Sequence, residues 1–169
     1  MQLYIMRHGP ALDVGQQGVQ RDADRPLSPA GIGKVTDAAG GLLALHIRPG
    51  RIVASPLVRA EQTAAIVARV LGCPADTETS EFLAPGAAAL DTIQWLKTFK
   101  AESALLVGHM PEVAGLTSEL VGGHPEVNLV FSKAAVACVT CSALPTSGCG
   151  QLEWLLSPEC LQLLGKSAE

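Results

Sequence analysis

The sequence predicts an α/β protein, a three-layer α/β/α sandwich around a largely parallel (mixed) sheet, from three observations. Short apolar runs (Leu3–Met6, Arg51–Ala54, Ala104–Val107) alternate with segments patterned at helical spacing. The runs are almost unbroken rather than alternating, which suits strands buried on both faces. Each stops at a polar cluster: Arg7-His8-Gly9, Ser55-Pro56 and Gly108-His109. In an open parallel sheet such strand ends lie along one edge, where these folds bind ligands.

The elements follow in order. After the first strand, Ala11–Pro26 is polar and contains glycine, and reads as a loop beside that strand's end. Ser28-Pro29 opens a helix, serine capping and proline in the first helical position. Its inward stripe is Ile32, Val35, Ala39 and Leu42-Leu43; Gly40-Gly41 weakens it, and Pro49-Gly50 closes the connection. After the second strand, Ser55-Pro56 repeats the start signal for a helix from Leu57 to about Leu71, with Ala60, Ala64, Val67 and Val70-Leu71 inward and Gly72-Cys73-Pro74 at its end.

Ala75–Thr79 reads as a short edge strand and Glu81–Gly86 as a loop. A helix near Ala88–Lys100 follows, with Leu90, Ile93, Leu96 and Phe99 inward. After the third buried strand, Glu112–Val121 is helical with a Val113, Leu116, Leu120 stripe. Ala134–Cys141 and Gln151–Leu156 form a hairpin, and Ser157-Pro158 starts a last helix, Glu159–Leu164. No repeat or long linker divides the 169 residues, so residues 1–169 read as one domain.

Bulk properties exclude several classes. With 48% hydrophobic and 17% charged residues the chain is globular. A net charge of −4 without a lysine/arginine cluster argues against nucleic acid as a partner. No run approaches the ~18–20 apolar residues of a membrane span, and no secretory leader is visible, so a cytoplasmic protein away from membranes is expected. Five cysteines (Cys73, Cys138, Cys141, Cys149, Cys160) suggest reduced thiols rather than a disulfide framework. Cys138 and Cys141 form a CxxC, but three positions apart on a strand they face opposite sides of the sheet, and no second half-site completes a metal centre. No metal or other cofactor is expected. His46 and His124 read as surface histidines, and Trp95 and Trp154 as packing residues.

The three strand ends bring Arg7, His8, Ser55, Arg59, Gly108 and His109 to one edge. Two arginines and two histidines suit a phosphoryl group, since a guanidinium fork bonds two phosphate oxygens at once. The helix starts after Ser55 and Met110 add free backbone N–H groups. An imidazole held there can attack phosphorus and form a phosphohistidine that water hydrolyses, the cations stabilising the equatorial oxygens.

Arg7-His8-Gly9, the Ser55–Thr63 segment SPLVRAEQT and Gly108-His109-Met110-Pro111 together resemble the three motifs of the histidine phosphatase superfamily (phosphoglycerate-mutase-like). The short length, Arg25-Pro26-Leu27-Ser28 with Gly31 soon after, and the ending Trp154–Pro158 resemble its SixA-type phosphohistidine phosphatases in particular. The resemblance runs from Met1 to about Leu164. It implies a phosphoglycerate-mutase-like fold and a metal-independent phosphatase in which His8 is the phosphorylated nucleophile. Arg7, Arg59 and His109 would form the phosphate pocket, with Gly9 and Gly108 at its strand ends. Arg25 would add a phosphate or substrate contact, and Ser55 either a phosphate contact or only a helix cap.

Larger members of the superfamily carry an inserted segment with an acidic general acid. Here that interval is short, and its best candidate is Glu81. A phosphorylated imidazole leaves more readily than an alkoxide, so the resemblance favours phosphohistidine on a protein (a phosphotransfer domain or carrier) as substrate. Two alternatives stand: a broad-specificity phosphomonoesterase acting on a small phosphorylated metabolite, and a catalytically silent phosphate-binding domain. The sequence leaves open which ring nitrogen of His8 is the nucleophile.

Overall fold

One six-stranded sheet, ordered β3-β2-β4-β1-β5-β6, carries the site at the edge where three of its strands end. The computed structural model describes residues 1–73, 77–125 and 128–167. The strands are β1 (Gln2–Arg7), β2 (Arg51–Ala54), β3 (Glu78–Thr79), β4 (Ser103–Gly108), β5 (Val136–Cys141) and β6 (Gly150–Leu156). The helices are α1 (Pro29–Ala44), α2 (Val58–Leu71), α3 (Ala89–Leu96), α4 (Glu112–Gly122) and α5 (Pro158–Lys166).

β1, β4, β2 and β3 are parallel, while β5 and β6 add antiparallel at the β1 edge, so the sheet is mixed as expected. Arg7 pairs with Gly108 and Ala54 with Val107, which aligns the ends of β1, β4 and β2.

Every second residue of a strand serves a different layer. Tyr4 and Met6 join a core with Val35 and Leu42 of α1, Val67 of α2 and Leu161 of α5. Leu3 and Ile5 join the opposite core with Ile93 and Leu96 of α3 and Leu116 and Leu120 of α4. Cys138 lies in the first core and Cys141 in the second, so the two thiols face opposite sides of the sheet. Burial pushes them up to about 11 and about 12, leaving both protonated. Among the described residues no helix is long and apolar enough to cross a membrane.

Ser28 caps α1 by accepting from the Gly31 N–H at 3.0 Å, as the Ser-Pro signal predicts. The stripe of that helix differs from expectation: Ile32 and Leu43 are exposed, and the buried face is Gly31, Val35, Ala38, Ala39, Gly41 and Leu42. At ~100° per residue Ile32 and Leu43 sit well round from that seam. The seam runs through small residues because α5 packs close, and a Cβ at position 41 would lie 2.1 Å from the Leu161 carbonyl oxygen. Gly40-Gly41 therefore does not interrupt α1; Gly41 is its contact point with α5.

α3 ends at Leu96 rather than near Lys100, and Leu90 points to solvent. Phe99 is nonetheless buried, in the turn that follows, beneath the Arg51 guanidinium at 3.9 Å. The edge strand is only Glu78–Thr79; Ala75 and Asp76 lie outside the described residues. The Ala11–Pro26 loop contains two 3-10 turns and is pinned by an Ala11–Leu27 bridge.

Candidate active site

The site is built from the three strand ends upward. The ladder between β1 and β4 continues one step past the strands, the His8 N–H donating to the Gly108 carbonyl at 3.0 Å. That bond leaves His8 at the lip of the sheet with its ring buried. Gly9 makes room for α1: a Cβ here would lie 2.4 Å from Val35 Cγ2, so any side chain would force a shift. The chain therefore runs tight under α1, and the Gly9 carbonyl turns back to the His8 ring, with Nδ1 at 2.6 Å.

That contact decides the tautomer. A carbonyl oxygen only accepts, so Nδ1 carries the hydrogen and Nε2 is unprotonated, its lone pair an acceptor. On that other side Arg59 Nε donates to Nε2 at 3.3 Å. Burial, with a further push from nearby cationic groups, drops His8 to about 3, so the ring is uncharged at neutral pH.

His109, at the end of β4, lies 5.0 Å from His8 between ring centroids. Its Nε2 meets Ser55 Oγ at 2.8 Å, while Nδ1 is buried without a hydrogen-bond partner. Burial, and secondarily Arg59, lowers His109 to about 4. Arg7 donates through Nη1 to the Phe131 carbonyl at 2.7 Å, and its Nε is the second buried nitrogen left unpartnered. Two unpartnered buried nitrogens on the residues that flank His8 at these strand ends suit a polar ligand, since buried polar atoms are otherwise satisfied.

Ser55 departs from the capping expectation. The N-cap of α2 is Leu57, with no side-chain cap; the Ser55 hydroxyl meets His109 and also accepts, at 3.4 Å, from the Leu57 N–H at the entry to the helix. Arg59, on the first turn of α2, is buried. Besides His8 it donates to the Asp22 backbone carbonyl at 2.7 Å and to Asp22 Oδ2 at 3.0 Å, using three of the guanidinium's five N–H donors.

Arg25 reaches this cluster only at second hand. Its Nε donates to the Leu12 carbonyl at 2.5 Å, and its two outer nitrogens bond Asp22 and Asp13. Asp22 thus bridges two guanidiniums, Arg25 first and then Arg59, and they hold its carboxyl below the ordinary range. Glu81 opens a 3-10 turn, its side chain exposed and without a hydrogen bond to any described residue. That turn sits on the end of β4, the Leu83 carbonyl lying 3.4 Å from where a Cβ on Gly108 would be.

Two supporting residues were not singled out from the sequence. Thr63, one turn after Arg59, accepts from the Gly9 N–H at 3.1 Å and donates to the Arg59 carbonyl at 2.7 Å, tying β1 to α2. Its place at the end of the SPLVRAEQT segment was the available signal. Asp22 had only its position three residues before Arg25. Among the described residues no three histidine, cysteine, aspartate or glutamate side chains gather as a metal site. The assembled groups can hold an anion between Arg7 and His109 and offer it the unprotonated Nε2 of His8.

Residues 3–83 match the family model for the histidine phosphatase superfamily (branch 1). The phosphohistidine phosphatase SixA of Escherichia coli is 35% identical over 162 residues, 94% of each chain. A solved structure of the protein histidine phosphatase SixA complexed with tungstate superposes with a TM-score of 0.82 at 33% identity, over 94% of this chain and 97% of that one. The phosphoglycerate mutase of Bacillus anthracis shares the fold, with a TM-score of 0.65 at 17% identity over 98% of this chain and 96% of that one.

Proposed function

The chain belongs to the histidine phosphatase superfamily, and from that premise we propose that it is a single-domain phosphohistidine phosphatase of the SixA type, acting on a histidine-phosphorylated protein. The observation that carries the reading is the His8 ring, with Nδ1–H on the Gly9 carbonyl and the Nε2 lone pair beside Arg59 and the unpartnered nitrogens of Arg7 and His109.

In this mechanism the phosphoryl group sits between Arg7, Arg59 and His109, with the backbone at Gly9 and Gly108 walling the recess. Nε2 of His8 attacks phosphorus as the P–N bond to the substrate imidazole breaks, and that imidazole, already protonated on its other ring nitrogen, takes the bonding pair and leaves as the neutral ring. Water then attacks the phosphorus on His8, releasing inorganic phosphate and restoring the free lone pair. Arg7 and Arg59 stabilise the charge on the equatorial oxygens in both steps. Ser55 orients His109, and Arg25 holds Asp22 against Arg59, so both act through a neighbour. The buried, uncharged state of His8 keeps it nucleophilic without a separate base. Glu81, exposed on the turn over β4, is the candidate proton donor for a poorer leaving group, the need a phosphomonoester would have.

The test measures phosphate release in EDTA from a histidine-phosphorylated phosphotransfer domain and from p-nitrophenyl phosphate. Wild type should prefer the carrier, and His8→Ala should lose release from both. Fast ester hydrolysis without carrier preference would replace the reading with a small-molecule phosphomonoesterase in which Glu81 is the acid. Full activity in His8→Ala would remove the mechanism.

A further inference from the structure

A groove of about 660 Å³ opens beside the site, between the start of α3 and the first turns of α4. Ala88, Leu90, Met110, Gly115 and Leu129 are among the residues that line it. Met110, one of its lining residues, follows His109 directly in the chain, which links the groove to the cluster of histidines and arginines. Its small side chains leave room for large ones from elsewhere. Leu90 and Met110 remain 56% and 37% exposed, an apolar surface that no described residue covers.

The charge lining is of one sign. Among the described residues, the ionisable side chains that line the groove are Glu112 and Glu119, and none is a cation. Glu119 is nearly buried and receives the Ser147 hydroxyl at 2.6 Å. Glu112 accepts from the Gly86 N–H through Oε1 at 2.7 Å, but its Oε2 is buried with no partner among the described residues. A half-buried carboxylate with one unsatisfied oxygen and no cation beside it has an unmet demand for positive charge.

We propose that this groove docks the substrate protein, taking apolar side chains and a lysine or arginine that flank its phosphohistidine. The proposal rests on the phosphohistidine phosphatase reading above and names what that substrate must look like around the modified residue. Apolar anchors filling a preformed pocket, with a charge match at its base, are how small protein contacts gain specificity. A sugar or nucleotide phosphate would leave the apolar walls unused and set further negative charge beside Glu112.

Two short phosphohistidine peptides test it, one with leucine and lysine on both sides of the phosphohistidine and one with serine and glutamate there. Free phosphohistidine serves as the control substrate. Burial of one leucine corresponds to roughly tenfold or more in binding, so wild type should favour the leucine/lysine peptide by about tenfold in kcat/KM. Leu90→Glu and Glu112→Gln should reduce that preference to about twofold or less. Glutamine can still accept from the Gly86 N–H, so the loop stays in place.

All three proteins should hydrolyse free phosphohistidine equally, which shows that the fold and the chemistry survive the substitutions. The docking proposal is overturned if wild type treats the two peptides alike, or if both variants keep the preference. If wild type cleaves neither the peptides nor free phosphohistidine, the phosphatase reading itself fails and takes the docking proposal with it.

Discussion

Gly9 offers the sharpest quantitative test of how the fold aims His8. Its φ is not in the left-handed region, so alanine is acceptable to the backbone and any penalty is steric. An added Cβ would lie 2.4 Å from Val35 Cγ2 and 3.1 Å from Leu27 Cδ2, against about 3.5–4.0 Å for relaxed carbon contacts. Val35 is fully buried, so it cannot swing away into solvent. Overpacking of this kind costs about 1–3 kcal/mol, and Gly9→Ala should lower stability by that amount.

The same shift moves the Gly9 carbonyl from His8 Nδ1 and the Gly9 N–H from Thr63, and misaimed nucleophiles are slow. kcat should fall about tenfold or more. Val35→Ala alone opens a cavity and costs about 1–3 kcal/mol. In the double variant the new methyl fills part of that space. The two penalties should then fall short of additivity by about 1–2 kcal/mol, with kcat recovering toward wild type. Urea denaturation of the four proteins gives the cycle, and phosphate release gives kcat. Additivity within about 0.5 kcal/mol would refute the claim that α1 sets the position of Gly9.

Burial places His8 at about 3 and His109 at about 4, while unfolded histidines titrate near 6.5. Between those values the unfolded chain binds more protons, so this contribution to stability is complete above about pH 6.5 and is lost as the pH falls toward 4 and then 3. Imidazole NMR should show both rings uncharged at about pH 5 in the folded protein, and titration of either near 6.5 would contradict the desolvated site. Ser55→Ala should cost about 1–3 kcal/mol in urea by leaving both nitrogens of a buried imidazole unpartnered, with no loss of helical circular dichroism, because Leu57 is the N-cap. Gly40→Ala, where a Cβ meets nothing within 4 Å, should stabilise by about 0.5–1 kcal/mol, whereas Gly41→Ala should destabilise by about 2 kcal/mol or more against the Leu161 backbone. Equal urea midpoints for these two glycine variants would count against close α1–α5 packing.

The sequence by itself determined the layout: the α/β alternation, the central strands and the polar clusters at their ends. A strand buried on both faces must be apolar throughout, and a Ser-Pro helix start depends on a few neighbouring residues, so both signals are local. Arg7-His8, Arg59 and Gly108-His109 were legible for the same reason. Only the tertiary structure decided the finer assignments. Which nitrogen of His8 is free depends on where the Gly9 carbonyl turns under α1, and whether Ser55 caps a helix or holds His109 depends on the alignment of β2 with β4. Ile32, Leu43 and Leu90 were misplaced inward because apolarity names a candidate face, whereas the small residues that permit close approach choose the seam. Asp22 and Thr63 carry no distinctive local pattern, and their roles arise from bonds to residues distant in the chain, Asp22 to Arg59 and Thr63 to Gly9.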